Sequence, residues 1–271
     1  GESWSSFIGR DETARACYPG QRGAELMQQF DPNNPNLASG GKNVYGAALG
    51  VLMLETRFPR IPGDIGHAGS WPFPLHFKIV KGASPDKVVR HQADGLLGAF
   101  IEAAEELVAM GVDGISTNCG FMCLHQDKLA KAFNVPVASS SLMQVPMVQS
   151  LLPPDKRVGI LTISSATLTP EHLAAVNIPL DIPLMGTDAG QEFTRAILDD
   201  EPYLDVTQSR LDILEAGRAL VEQHPEVGAV VLECTNMVPY AADLQRVLKM
   251  PVYSIYSFLC WFQAGLSPRV F

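Results

Sequence analysis

Short apolar runs alternate with longer amphipathic stretches along most of this chain. Residues 47–54 are apolar without a break, which predicts a strand buried on both faces, and residues 75–80 predict a second. Residues 85–110 predict one long helix, because Val89, Ala93, Leu96, Leu97, Phe100, Ala104, Leu107 and Val108 recur at three- and four-residue steps. Ser84 is placed as its N-cap, Pro85 at its first position and Gly111 as its stop. A strand at 114–116 then delivers Asn118, Cys119 and Gly120. Helices at 126–133, 142–151, 170–176, 206–223 and 241–248 alternate with strands at 135–138, 158–163, 180–185, 227–232 and 252–255. The strand at 227–232 delivers Glu233, Cys234 and Thr235. Such alternation predicts an α/β protein built from mainly parallel sheets flanked by helices.

The pattern also repeats. Pro136 follows Cys119 at +17 and Pro251 follows Cys234 at +17, with Leu129 and Leu244 at +10, Val137 and Val252 at +18, and Ser139 and Ser254 at +20. Val112 and Val227 both stand at −7. Two pseudo-symmetric lobes are expected, each with one cysteine at the carboxyl end of a strand, where open α/β sheets bind ligands. Lobe 1 is placed at residues 45–157 with part of the C-terminal end, lobe 2 at 158–271, and the active-site cleft between them. Residues 1–44, rich in Gly, Asn and Pro, read as an N-terminal arm that packs loosely or wraps a neighbour.

Composition narrows the classes. The 271 residues are 46% hydrophobic, enough for a substantial core. A formal net charge of −9 and the lack of a Lys/Arg-rich run argue against nucleic acid as a partner. No apolar stretch approaches the ~20 residues of a membrane-spanning helix, so no membrane partner and a cytoplasmic location are expected. Five cysteines (Cys17, Cys119, Cys123, Cys234 and Cys260) are too few and odd in number for a disulfide scaffold. A zinc site from Cys119, Cys123 and His125 lacks the usual spacing, so no metal is expected.

Two thiols facing one carbon suit proton transfer. A helix N-terminus lowers a thiol's pKa from about 8.5 and makes a base near neutral pH. Backbone N–H groups after each cysteine, the Thr235 hydroxyl and the Asn118 amide are the donors that would stabilise developing charge. One thiol removes an α-proton and the other returns one to the far face, which is racemisation with no cofactor. With a leaving group on the next carbon, the same deprotonation gives β-elimination.

On these residues the chain resembles the aspartate/glutamate racemase superfamily, over roughly residues 45–260. Cys234-Thr235 matches that superfamily's second motif, whereas Cys119-Gly120-Phe121 departs from the Cys-Asn-Thr of its amino-acid racemases. Pro62-Gly63-Asp64-Ile65, Gly69-Ser70, Cys119-Gly120-Phe121-Met122, Glu233-Cys234-Thr235 and Pro239-Tyr240 are more similar to the branch containing algal dimethylsulfoniopropionate lyases. Those enzymes cleave a sulfonium substrate to dimethyl sulfide and acrylate. The resemblance implies two α/β lobes, a catalytic cysteine from each and no cofactor.

The expected function is therefore a cofactor-independent racemase or epimerase of a small carboxylate, with Cys119 and Cys234 as the acid/base pair. A lyase using one cysteine as base is the alternative, and a non-catalytic binding protein that keeps the cleft is a third reading. Asn118, Gly120, Thr235, Ser164, Ser165, Arg57 and Asp64 are the expected substrate-binding residues. Arg57 would pair with a substrate carboxylate, although a solvated loop arginine fits the sequence equally well. Ser164 and Ser165 equally suit helix capping. Ser139, Ser140 and Ser141 suit either the cleft or a turn. Trp71 and Phe73 would cover the cleft or pack in the core, with packing favoured, and Cys17, Cys123, Cys260, His76, His91, His172 and His224 are assigned structural roles, while His67 sits in the loop with Arg57 and Asp64. A homodimer or tetramer is expected.

Overall fold

A computed structural model describes residues 30–31 and 34–269. Cys17 and most of the expected arm lie outside the described residues. The chain divides into a unit of residues 1–41 with 267–271 and a unit of residues 42–266. In the first, β1 (Phe30–Asp31) and β2 (Asn34–Ala38) pair antiparallel. Everything that follows lies in the second.

Strands β3 (Leu49–Leu54), β4 (Leu75–Val80), β5 (Gly114–Thr117) and β6 (Val137–Ala138) form a sheet in the order β4-β3-β5-β6. Strands β7 (Arg157–Thr162), β8 (Leu184–Gly186), β9 (Val227–Leu232) and β10 (Val252–Tyr253) form another in the order β8-β7-β9-β10. Every pairing in both sheets is parallel. Numbered within its own lobe, each sheet has the order 2-1-3-4. The spacing repeat is thus a repeat of topology, with Cys119 after the third strand of one lobe and Cys234 after the third strand of the other.

The helices are α1 (Leu97–Met110), α2 (Gln126–Ala132), α3 (Val145–Leu151), α4 (Pro170–Ala175), α5 (Phe193–Leu198), α6 (Val206–Gln223), α7 (Ala241–Leu248) and α8 (Ile255–Leu266). β3 shows why its run is apolar throughout, because successive side chains of a strand point to opposite faces. Leu49, Val51 and Met53 pack with Ile255, Phe258 and Leu259 of α8. Leu52 and Leu54 face the other way, into a cluster with Phe100, Leu107 and Ile115 that continues through Val158, Ile160 and Leu232 of the second lobe. The core therefore runs through both lobes. No helix among the described residues is long and apolar enough to cross a membrane.

The helix expected over 85–110 is broken. Asp86–Arg90 form a π-helical turn, Gln92, Ala93 and Gly95 take positive φ, and α1 begins only at Leu97. The apolar period runs through the break because Val88, Val89 and Ala93 are buried by the irregular turn itself. Ser84 still accepts the Lys87 N–H at 3.3 Å, and Gly111, at φ 93°, ends the helix on the carbonyls of Leu107 and Val108. In the second lobe β8 starts at Leu184 and not at 180, directly after Pro183, which has no N–H for the ladder.

Candidate active site

In each lobe the strand order reverses between the first and third strands, the crevice in which α/β sheets hold ligands. β3 and β5 end there in lobe 1, β7 and β9 in lobe 2. Residues just past these four ends line one pocket: Leu54 and residues 118–121 from one lobe, Ile163 and residues 233–236 from the other. Phe58, Pro85, Val89, Ile197 and Leu198 complete its walls.

Each cysteine precedes a six-residue 3₁₀ helix, Gly120–His125 or Thr235–Tyr240, which runs directly into α2 or α7. Both thiols are free, and each is buried, Cys119 at 8% exposure and Cys234 at 6%. Burial, together with the charge of Glu233, pushes both thiols up from the ordinary range. The Phe121 N–H, the Arg60 charge and the Met122 N–H at Cys119, and the Asn236 N–H at Cys234, pull the other way without prevailing. This runs against the expectation that a helix N-terminus lowers the thiol pKa: desolvation and the Glu233 charge outweigh the N–H dipoles and, at Cys119, the Arg60 charge.

The residue before each cysteine plays the same backbone role. Asn118 Oδ1 accepts the Leu54 N–H at 2.8 Å. Glu233 Oε2 accepts the Ile163 N–H at 3.3 Å and the Thr162 hydroxyl at 2.8 Å. Glu233 is 1% exposed, and burial raises its carboxyl pKa to about 7.

The lobes touch at these strand ends. Thr235 donates its hydroxyl to the Asn118 carbonyl at 2.6 Å, and Ser141 donates to the Leu232 carbonyl at 2.6 Å. Gly120 lies so close to Glu233 that an added Cβ would meet both the carbonyl oxygen and Oε1 of that residue. Behind Cys234, its thiol donates to Asn236 Oδ1 at 3.5 Å, and the Asn236 amide donates to Asp64. Asp64, itself buried, is held by Arg60 at 3.0 Å and the Gly66 N–H at 2.8 Å.

Among the expected binding residues, Asn118, Gly120 and Thr235 join the cysteines in the pocket lining. Asp64 stands one residue behind, through Asn236. Arg57 is elsewhere: its side chain is 70% exposed and engages Asp200, whose carboxylate also takes the Arg57 N–H at 2.6 Å. Ser165 is occupied by Asp188, and neither it nor Ser164 lines the pocket. Ser140 caps the turn at Ser141–Gln144 by accepting the Leu142 N–H. Trp71 and Phe73 are buried against each other at 5.6 Å, with the indole N–H donated to Ile65. Cys123 is fully buried and donates to the His172 carbonyl at 3.5 Å.

Glu233, directly before Cys234, and Asn236, two residues after it, are polar lining residues to which the sequence assigns no role. Phe58, Val89 and Ile197 carry no sequence signal for a pocket. Among the described residues that line the pocket there is no Lys or Arg, and Glu233 is the one carboxylate. Among the described residues no group of three or more His, Cys, Asp or Glu is placed to hold a metal ion.

This architecture is shared with solved structures of racemases and of arylmalonate decarboxylase. The chain superimposes on an allantoin racemase from Klebsiella pneumoniae with a TM-score of 0.57 and 17% identity, covering 82% of this chain and 90% of that one. A variant of arylmalonate decarboxylase gives 0.53 at 16% identity, covering 81% and 92%. A glutamate racemase from Bacillus anthracis gives 0.53 at 11% identity, covering 82% and 84%. In sequence the chain is similar to dimethylsulfoniopropionate lyases. It is 26% identical over 219 residues to one from Durusdinium, across 78% of this chain and 72% of that protein. It is 28% identical over 221 residues to dimethylsulfoniopropionate lyase 5 of Emiliania huxleyi, across 76% of this chain and 42% of that protein. No family model matches the sequence.

Proposed function

We propose that this protein is a lyase that carries out β-elimination on a small sulfonium carboxylate of the dimethylsulfoniopropionate type, with one of the paired cysteines as base. The observation that carries this reading is charge. Among the described residues, the pocket lining has a buried carboxylate and no Lys or Arg, while Phe58, Phe121, Ile197 and Leu198 supply apolar walls. A dicarboxylic amino acid, even with its own ammonium group, brings a net negative charge into a pocket whose described lining has no Lys or Arg, whereas a sulfonium carboxylate is neutral overall. A sulfonium brings its own positive charge, and its methyl groups suit the apolar and aromatic walls. Sequence similarity to the lyases supports the same choice.

In the proposed step a cysteine thiolate removes the proton from the carbon next to the substrate carboxylate. The C–H electron pair becomes the carbon–carbon double bond as the bond to sulfur breaks. Dimethyl sulfide leaves with that bond's electrons, acrylate remains and the proton rests on the thiol. The base is pre-positioned and the pocket excludes water, which is where the rate advantage arises.

Racemisation of a small carboxylate is the second reading, favoured by the equivalent placement of Cys119 and Cys234 in two lobes of identical topology. It needs both thiols, whereas elimination needs one base. Headspace assay of Cys119→Ser and Cys234→Ser with dimethylsulfoniopropionate separates the two. Elimination predicts loss of dimethyl sulfide in one variant and a partial loss in the other. No dimethyl sulfide from the unmodified protein would sink the lyase reading.

A further inference from the structure

The two lobes solve one structural problem with different side chains. At the position before each cysteine, a side-chain oxygen crosses to the backbone N–H at the end of the lobe's first strand. Asn118 does this with a neutral amide, at Leu54. Glu233 does it with a carboxylate, at Ile163. An amide is therefore sufficient for the backbone, and the carboxylate adds a proton-binding group to the pocket at the cost of burying a charge.

That group shares one pocket with both thiols. Glu233 lines the same pocket as Cys119 and Cys234, and its charge acts on both. Only Oε2 is tied down, by Thr162 and Ile163, while Oε1 abuts Gly120 next to Cys119. The other ionisable groups around it are Cys123 on the Gly120–His125 helix, and Asp64 and Arg60, which are paired with each other in the loop after β3. Among the described lining residues there is no Lys or Arg to neutralise it.

We propose that Glu233 is the proton acceptor that arms the cysteine pair: its carboxylate takes the proton from the thiol that serves as base and holds it while the thiolate acts. One S–H bond breaks and one O–H bond forms, so the pocket keeps a single negative charge that moves from oxygen to sulfur. Like charges this close exclude each other, so a second charge is not added. Neutralising Glu233 removes a repulsion that holds both thiols up, so the transfer eases the ionisation it begins. Glu233 is a positioning residue in this scheme, acting through the cysteines. A carboxyl group poised near pH 7 is suited to that exchange.

The experiment compares Glu233→Gln with the unmodified protein. Glutamine keeps an oxygen for Ile163 and Thr162, as Asn118 does for Leu54. The first readout, without substrate, is iodoacetamide alkylation of Cys119 and Cys234 against pH, read by peptide mass spectrometry. Loss of the buried charge should lower the thiol titration by a unit or more, making alkylation at a fixed pH about tenfold faster. Turnover should nonetheless fall by about 10²-fold or more, and its pH limb near 7 should vanish. Glu233→Asp should retain the limb. Unchanged alkylation and an unchanged limb in Glu233→Gln would overturn the proposal. If that variant fails to fold, carboxyl-labelled glutamate in the unmodified protein must show one resonance titrating near 7, and its absence is equally fatal. The proposal rests on the cysteine-base reading but not on the substrate. Titration and alkylation are measured without one, so a failed sulfonium assay leaves them to stand or fall alone.

Discussion

The Thr235 hydroxyl donates to the Asn118 carbonyl oxygen at 2.6 Å, so the residue after one cysteine grips the residue before the other. Both groups are buried. Thr235→Val keeps the shape but leaves a buried carbonyl without its donor, at a cost of about 1–3 kcal/mol. The urea midpoint should drop accordingly, and activity should fall further than stability because the cysteines lose their register. Thr235→Ser should restore both. A valine variant as active as the original would show that the contact does not position the thiols.

Arg57 should matter little. It is an exposed loop residue bonded to Asp200, and pairs of that kind contribute about 0–1 kcal/mol. Arg57→Ala should leave KM for a carboxylate substrate within about threefold, which corresponds to less than 1 kcal/mol. A KM raised a hundredfold would return this arginine to the site.

Two buried groups tie stability to pH with opposite signs. His172 is fully buried, its Nε2 has no partner and its ring meets Phe121 edge-on at 5.2 Å. Burial lowers its pKa from 6.5 to about 4, so the unfolded chain binds the extra proton first and stability is lost as pH falls through that window. Burial raises Glu233 from 4.5 to about 7, so the folded protein binds the proton first and stability is lost as pH rises through that window. Over the shared range the two slopes oppose. Glu233→Gln should expose the histidine slope, with stability rising with pH by up to about 1.4 kcal/mol per unit. His172→Leu should expose the reverse slope, whatever its own effect on stability. Denaturation at a series of pH values checks both, and slopes of the same sign in the two variants would contradict the assignment.

Much of this architecture was legible because burial writes it into spacing. The strands at 75–80 and 227–232 and the helices at 206–223 and 241–248 stand where their apolar patterns place them. The matched offsets of Cys119 and Cys234 marked equivalent strand ends. The break before α1 was not legible, because Val89 and Ala93 within it are buried all the same and keep the helical period. The 3₁₀ turns after the cysteines are too short to carry a period of their own. Long-range partners were also hidden: nothing local to Arg57 announces Asp200, and nothing near Phe58 announces a pocket wall. Glu233 was visible beside Cys234, but the lack of a Lys or Arg in the described pocket lining emerges only when both lobes are assembled.

The central claim is elimination at the cysteine pair, and proton NMR of dimethylsulfoniopropionate with the protein in D₂O tests it most directly. The account predicts acrylate and dimethyl sulfide appearing together in equal amounts, and neither from the Cys119→Ser/Cys234→Ser double variant. Deuterium entering the substrate with the carbon–sulfur bond intact, or cleavage that survives in the double variant, would contradict it.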